Sequence, residues 1–340
     1  MRSPLALVVS VLAMSTACGG VAEQGTARGS ECVGARTAVS APAPTPLSPA
    51  PTPVLPVTVA DVSGAQVTVS DASRILALDT YGTLATTVYA LGLGDRLIGR
   101  DSSTGVPALA DLPVVTVDGH QLNAEAILGL RPSVVLTDYS IGPLEVQLQL
   151  RDAGIPVVVL DQTRSRATIG RQIEAVAEAL GVADAGAALA RRVTADVTNA
   201  ERTLAERIER RGLAAPRMAF IYVRGNAGVY QWFGKDSGAD ALIRSLGGID
   251  VASEAGVTGY RPLNAEGIVA AAPTLLLVMT DGLASVGGVD GLVAVPGIAE
   301  TTAARNRCVV DMADSQILGF GPNYAGAVSA LGDAIYGDIG

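Results

Sequence analysis

Histidine, lysine, cysteine and aromatic side chains are all scarce in this chain of 340 residues, and each shortage closes off a class of function. His120 is the only histidine, so a zinc or manganese site of the usual kind, which collects several imidazoles, cannot be assembled. Lys235 is the only lysine, and 24 lysines and arginines stand against 33 aspartates and glutamates. The formal charge of −9 leaves no basic stripe for a phosphate backbone, which excludes nucleic acid as a partner. No G-x-S-x-G elbow is present, and Gly92-Leu93-Gly94 continues as Asp95-Arg96-Leu97 without the third glycine of a dinucleotide-binding turn. An exported hydrolase using His120 beside Asp118 remains a reading of another class, but no motif places its nucleophile, and the chain is expected not to be an enzyme. Aromatics make up only 4% of the residues, so each carries more information than usual.

What is present suits a globular, exported protein of two modest domains: 49% hydrophobic and 17% charged residues. Residues 1–18 read as an export signal, with Arg2, an apolar run from Pro4 to Met14, and Ser15-Thr16-Ala17 before Cys18; the run is too short to span a bilayer. Cys18-Gly19-Gly20 resembles the bacterial lipobox, with Ser15 where leucine is usual. Lipidation of Cys18 would hold the protein on the outer face of the cytoplasmic membrane; ordinary cleavage and secretion is the alternative. Cys32 and Cys308 remain, an even pair in an oxidising compartment, and are expected to bridge, two unpaired buried cysteines being the alternative. Residues 19–62, with APAPTPLSPAPTPVLP from Ala41 to Pro56, are expected to be a disordered proline-rich linker, an extended spacer between membrane and fold.

Short apolar runs then alternate with helical patterns in two sets, residues 63–166 and 213–340, which predicts two α/β lobes with mainly parallel sheets. Between them residues 167–212 lack proline and place Leu189, Val193, Val197, Ala200, Leu204 and Ile208 on one stripe, predicting a single long connecting helix. An internal repeat supports the two-lobe reading. Leu122-Asn123-Ala124-Glu125-Ala126-Ile127 recurs as Leu263-Asn264-Ala265-Glu266-Gly267-Ile268, and Pro132-Ser133-Val134-Val135-Leu136 as Pro273-Thr274-Leu275-Leu276-Leu277, both displaced by 141 positions. Two such lobes on one long helix, behind a signal and lipobox, resemble the helical-backbone class of periplasmic-type solute-binding proteins over about residues 65–338. That class binds cargo between the lobes, where the carboxyl ends of the strands converge.

On that scaffold, His120 in Asp118-Gly119-His120-Gln121 precedes the first repeated helix and points toward the cleft, and imidazole is a standard axial ligand of haem iron. Tyr222 and Arg224 stand two apart on a strand and so share a face, where a guanidinium favours the phenolate that ferric iron needs; a sheet-edge tyrosine beside a solvated arginine is the bland alternative. The segments GHQLNAEAIL and YVRGNAGVY, Asp236-Ser237-Gly238-Ala239-Asp240 and Gly319-Phe320-Gly321-Pro322 together resemble the haem-binding lipoproteins of actinobacterial haem importers. The resemblance implies haem as cargo, ligated by His120 and Tyr222 from opposite lobes with Arg224 hydrogen-bonded to the tyrosine, and an ABC permease with its ATPase as partners; it also admits an upstream haem donor. Tyr260, at the repeat position of Gly119-His120, is expected to pack on the macrocycle or bond a propionate, and Tyr230 to form a wall unless it is ordinary packing. Arg100 and Arg261 suit the propionates, solvated arginines being the alternative. Glu125 and Glu266 hold matched positions, read as permease contacts, the alternative being favourable placement at a helix N-terminus. A cobalamin or ferric-siderophore carrier on the same fold is the competing transport reading.

Overall fold

A computed structural model describes residues 32–41 and 43–337; the expected signal segment and Cys18 lie outside the described residues. Strand β1 (Arg36–Ala38) comes first, then β2 (Val57–Ala60) and β3 (Gln66–Val69), an antiparallel hairpin. The first lobe continues with β4 (Ile75–Leu78), α1 (Thr83–Val88), a small hairpin of β5 (Thr116–Val117) and β6 (Gln121–Leu122), α2 (Ala124–Leu130), β7 (Val134–Thr137), α3 (Leu144–Asp152) and β8 (Val157–Val159). Strands β4, β7 and β8 form its parallel sheet with β7 central, Ile75 beside Val134 and Val135 beside Val157. These strands are apolar almost throughout because both faces of the sheet are covered.

Helices α4 (Ile169–Ala179) and α5 (Ala183–Arg211) lead to the second lobe. Its sheet contains β9 (Arg217–Arg224), β10 (Val229–Phe233), β11 (Ile249–Asp250), β12 (Tyr260–Pro262), β13 (Leu275–Met279) and β14 (Val309–Met312), in the order β1-β14-β13-β9-β10-β12, with β11 beside the start of β9. Only β10 runs against the others, so its pairings with β9 and β12 are antiparallel and the remaining pairings are parallel. Four further helices matter below: α6 (Ala265–Ala271), α7 (Thr280–Ser285), α8 (Asp314–Ile317) and α9 (Tyr324–Tyr336). The architecture is therefore two α/β lobes with mainly parallel sheets on one long helix. Among the described residues no helix is long and apolar enough to cross a membrane.

The period-two alternation of the strands divides the interior into three apolar clusters. Ile75, Ala77, Val134 and Leu136 of the first sheet, and Met218, Phe220, Leu275 and Leu277 of the second, turn inward and share one core with Leu189, Val193, Val197 and Leu204 of α5. Leu76, Leu78 and Val135 face a separate cluster under α2 and α3, and Ala219, Ile221, Val223 and Leu276 face another in the second lobe. The repeat is exact at the local level. Asn123 and Asn264 cap α2 and α6, and the two helices end on left-handed residues 141 positions apart, Arg131 (φ 46°) and Ala272 (φ 48°), each followed by proline.

Two expectations are corrected. The connecting helix over 167–212 is two helices: α4 stops at Gly181, whose left-handed backbone (φ 69°) cannot continue a helix, and α5 of 29 residues starts anew at Ala183. The expected linker of 19–62 is, over residues 32–41 and 43–62, an ordered strap. β1 pairs with β14, Arg36 Nη1 donates to Ala334 O (2.7 Å), Arg192 Nη2 to Thr45 O (2.8 Å), Leu47 N to Ala90 O (2.9 Å), Val54 N to Gly181 O (2.8 Å) and Val62 N to Val159 O (2.9 Å). Proline suits this path because an extended edge segment needs few N–H donors of its own. The strap thus runs from the second lobe over α5 to the first, and Cys32 and Cys308 form a disulfide at its start (Cα–Cα 5.4 Å). Replacing both cysteines with serine is expected to lower the unfolding free energy by about 2–5 kcal/mol, because the bond closes nearly the whole chain into a loop; urea unfolding of the double variant against the parent measures it.

Candidate ligand-binding cleft

The carboxyl ends of the inner strands carry polar groups that the apolar runs before them drive into one place. In the first lobe Asp79 follows β4 and Asp138 follows β7, and Arg164 lies just past β8. Arg164 Nη2 donates to Asp79 Oδ2 (2.7 Å) and Asp138 Oδ2 (2.8 Å), with all three side chains almost completely buried. Burial works against the Arg164 charge, yet the two carboxylates outweigh it and hold the guanidinium above its ordinary value. Burial and the neighbouring Asp79 both push Asp138 up. A third carboxylate, Asp101, accepts from Asp79 N (3.2 Å), Ser103 N (2.9 Å) and Thr104 Oγ1 (2.9 Å). Burial first, and Asp79 second, push it up to about 7, so one proton reduces the excess of negative charge in the cluster.

The second lobe builds a comparable end. Leu78 lies beside Thr137 and Ile221 beside Val278, and Thr137 and Val278 are repeat equivalents, so Tyr222 occupies in the second lobe the place of Asp79 in the first. Both are addressed by an arginine. The Arg224 guanidinium carbon lies 4.6 Å from the Tyr222 ring centroid, and its nitrogens donate to Val223 O (2.9 Å) and Asp314 Oδ2 (2.6 Å). The bond to the phenolic oxygen implied by the resemblance is replaced by this stacking contact, the guanidinium being drawn to the Asp314 carboxylate. Phe233 stacks on Tyr222 (centroids 5.7 Å apart) and Tyr260 on Phe233 (5.5 Å), which forms an aromatic row that ends at Tyr260, 62% exposed.

The two ends face each other. Tyr81, which Arg164 overlies at 5.2 Å, is pushed up by burial, and Tyr260 of the opposite lobe is near enough to add to the shift. His120 is exposed at the tip of the β5–β6 hairpin after Asp118 and Gly119, both at positive φ, and its carbonyl accepts from Gly142 N (3.2 Å). Exposed Val117 and Tyr139 lie on that hairpin and on the loop bonded to it. His120 and Tyr222 thus belong to different lobes, and no hydrogen bond joins them among the described residues.

Three expected contacts are not assembled. Tyr230 and Arg261 pair with Val223 and Trp232, which puts them on the outer face of the second sheet, away from Tyr222, and Tyr230 packs against the outer apolar cluster. Arg100 is turned to its own loop, donating to Asp101 O (3.3 Å) and Ala110 O (3.2 Å). Tyr260 shares the Tyr222 face, and Glu125 and Glu266 stand exposed in the first turns of α2 and α6, whose capping bonds come from Asn123 and Asn264. Sequence reasoning missed Asp79, Asp101, Asp138, Arg164, Tyr81 and Asp314. The legible signal was an aspartate closing each of three apolar runs, at Asp79, Asp138 and Asp161.

A family model described as a periplasmic binding protein matches residues 80–315. The crystal structure of heme binding protein HmuT superposes with a TM-score of 0.86 at 40% identity, covering 90% of this chain and 98% of that one. HmuT has also been solved with a histidine, a tyrosine or an arginine replaced by alanine, the tyrosine and arginine two positions apart. Periplasmic heme-binding protein RhuT from Roseiflexus sp. RS-1, in apo form, gives a TM-score of 0.72 at 37% identity over 78% of this chain and 98% of that one. The uncharacterized ABC transporter substrate-binding lipoprotein YvrC of Bacillus subtilis (strain 168) is 27% identical over 286 residues, 83% of this chain and 86% of that protein.

The Asp101 cluster generates a pH prediction. A folded-state value raised to about 7 from 3.8 means the native protein holds a proton that the unfolded chain has released. The associated stability is complete below the unfolded value and is lost as pH rises through about 7. The unfolding midpoint is therefore expected to fall between about pH 5 and about pH 8. Asp101→Asn should flatten that slope while losing the bond from Asp79 N, which thermal unfolding across the same range measures.

Proposed function

The chain belongs to the periplasmic binding protein family, and from that membership and the cleft chemistry we propose that it is the extracytoplasmic solute-binding component of an ABC importer that captures ferric haem. The observation that carries the reading is the Tyr222–Arg224 pair on the inner face at the end of β9, in a chain 40% identical to a haem-binding protein whose studied variants replace a tyrosine and an arginine at the same spacing. His120, from the other lobe, corresponds in type to the histidine replaced there.

In this mechanism haem enters edge-on between the lobes as cargo. Its apolar faces lose water against Tyr260 on one side and Val117 and Tyr139 on the other, which supplies affinity through burial. Tyr222 and His120 provide the axial groups, a phenolate oxygen and an imidazole nitrogen. The phenol must shed its proton to bind iron, and the Arg224 guanidinium carbon lies 4.6 Å from the centre of its ring. No residue in this scheme performs bond chemistry on the cargo, so the protein acts as a carrier and not an enzyme. Lipidation of Cys18 would keep it at the outer membrane face, next to the permease and its ATPase, and a haem donor upstream is compatible with the exposed mouth. Because the lobes share one core, release falls to the permease, docking at exposed Glu125 and Glu266.

A visible titration of the soluble chain with haemin tests the cargo. A Soret shift saturating near about one equivalent is expected, with His120→Ala and Tyr222→Ala each changing the spectrum and weakening binding at least about tenfold, ~1.4 kcal/mol. No saturable shift would favour cobalamin or a ferric siderophore. Transfer to permease-containing vesicles tests docking: Glu125→Ala/Glu266→Ala should slow delivery with haemin affinity unchanged, and delivery at the parent rate would sink the assignment of those two glutamates.

A further inference from the structure

Arg224 has more holding it than its own strand. Asp314, the first residue of α8, receives Nη2 at 2.6 Å through Oδ2, while its other oxygen accepts Asp281 N of α7 at 2.9 Å. One carboxylate thereby ties the guanidinium to two helix ends. Gly282 of α7 comes close to the other terminal nitrogen: an added Cβ there would lie 2.8 Å from Arg224 Nη1 and 2.8 Å from Val223 O. Only glycine admits an approach this close. Arg224 is thus confined between α7, α8 and the backbone of its own strand, and the Met279 sulfur lies 3.9 Å from Nη2.

This confinement has a consequence for the neighbour on the same face. Along β9 and β10 the inner face runs Phe220 with Phe233, then Tyr222 with Gln231, then Arg224 with Val229. The Tyr222 ring is therefore bracketed along the strand by Phe233 at one end and Arg224 at the other. The Phe233 end is fixed by burial in the core, so the freedom of the ring depends on whether Arg224 stays where it is.

We propose that Asp314 is a positioning residue for the ligand site: by clamping Arg224 across the Tyr222 ring, it holds the phenolic oxygen in the orientation from which cargo iron is taken. The proposal rests on the haem reading of the cleft, and it adds a residue that never touches the cargo. Arg224 carries two duties on this account, one toward Asp314 and one toward Tyr222, and the planar fork with separate nitrogens lets it serve both.

The test uses the whole soluble chain with haemin as probe, comparing Asp314→Ala, Asp314→Asn, Asp314→Glu, Arg224→Ala and the Asp314→Asn/Arg224→Ala pair. Asp314→Ala and Asp314→Asn are expected to speed haemin loss to excess haem-sequestering apoprotein about tenfold and to weaken the visible tyrosinate-to-iron band. Asp314→Glu should restore part of both. In the Arg224→Ala background Asp314→Asn should add nothing, the signature of one residue acting through another. A purely capping role at Asp281 N would lower thermal stability without moving the band. Parent spectra and loss rates in both Asp314→Ala and Asp314→Asn, or fully additive effects with Arg224→Ala, would overturn the proposal alone. A parent chain that takes up no haemin would overturn the haem reading and this assignment with it.

Discussion

The shared apolar core is the constraint from which the rest of the molecule follows. Inward residues of both sheets belong to one core with the α5 stripe of Leu189, Val193, Val197 and Leu204, on which α4 packs from the first-lobe side and α9 from the second. Separating the lobes would return part of that surface to water, at roughly 25 cal/mol for each Å² of apolar area. A few hundred Å² of added exposure would then approach the whole stability of an ordinary domain. Wide hinge opening is thereby disfavoured, and what remains is small relative movement at the strand ends, where the core gives way to Asp79, Asp138, Tyr222 and Arg224.

Those strand ends show how a duplicated fold acquires two different faces. The same backbone position holds Asp79 in one lobe and Tyr222 in the other, and in each case an arginine lies against it, bonded to the carboxylate of Asp79 and stacked over the ring of Tyr222. In the first lobe the arginine is buried between two carboxylates, an arrangement that fixes structure, since removing one partner of such a pair leaves a stranded charge. In the second lobe the arginine and its carboxylate stay partly open to solvent, with side-chain exposures of 33% and 22%. The first arrangement makes a floor, the second a working surface.

Much of the scaffold was legible in the sequence because it rests on local patterns. The apolar runs, the α5 stripe and the 141-position repeat each report a periodicity that survives into three dimensions. What was illegible depends on partners distant in sequence. Proline content from Ala41 to Pro56 describes an extended chain, but not whether a surface waits to receive it. The register of β9, β10 and β12 alone decides that Tyr230 and Arg261 face away from Tyr222, and no residue pattern within one strand fixes that register. Arg100 is held by backbone carbonyls, one of them at Ala110, which no side-chain pattern announces. Arg164 had no motif at all, since its partners lie 85 and 26 residues away.

The disulfide at Cys32 also defines a line of force. Any pull applied to the chain before Cys32 ends at Cys308, next to β14, and enters the second-lobe sheet through a covalent bond instead of peeling β1 from its edge. The strap beyond it, with its hydrogen bonds to α5 and the first lobe, is bypassed and carries no tension. A protein moored by its N-terminus would therefore hang from its second lobe, and the two-lobed body would swing as a whole about that single point.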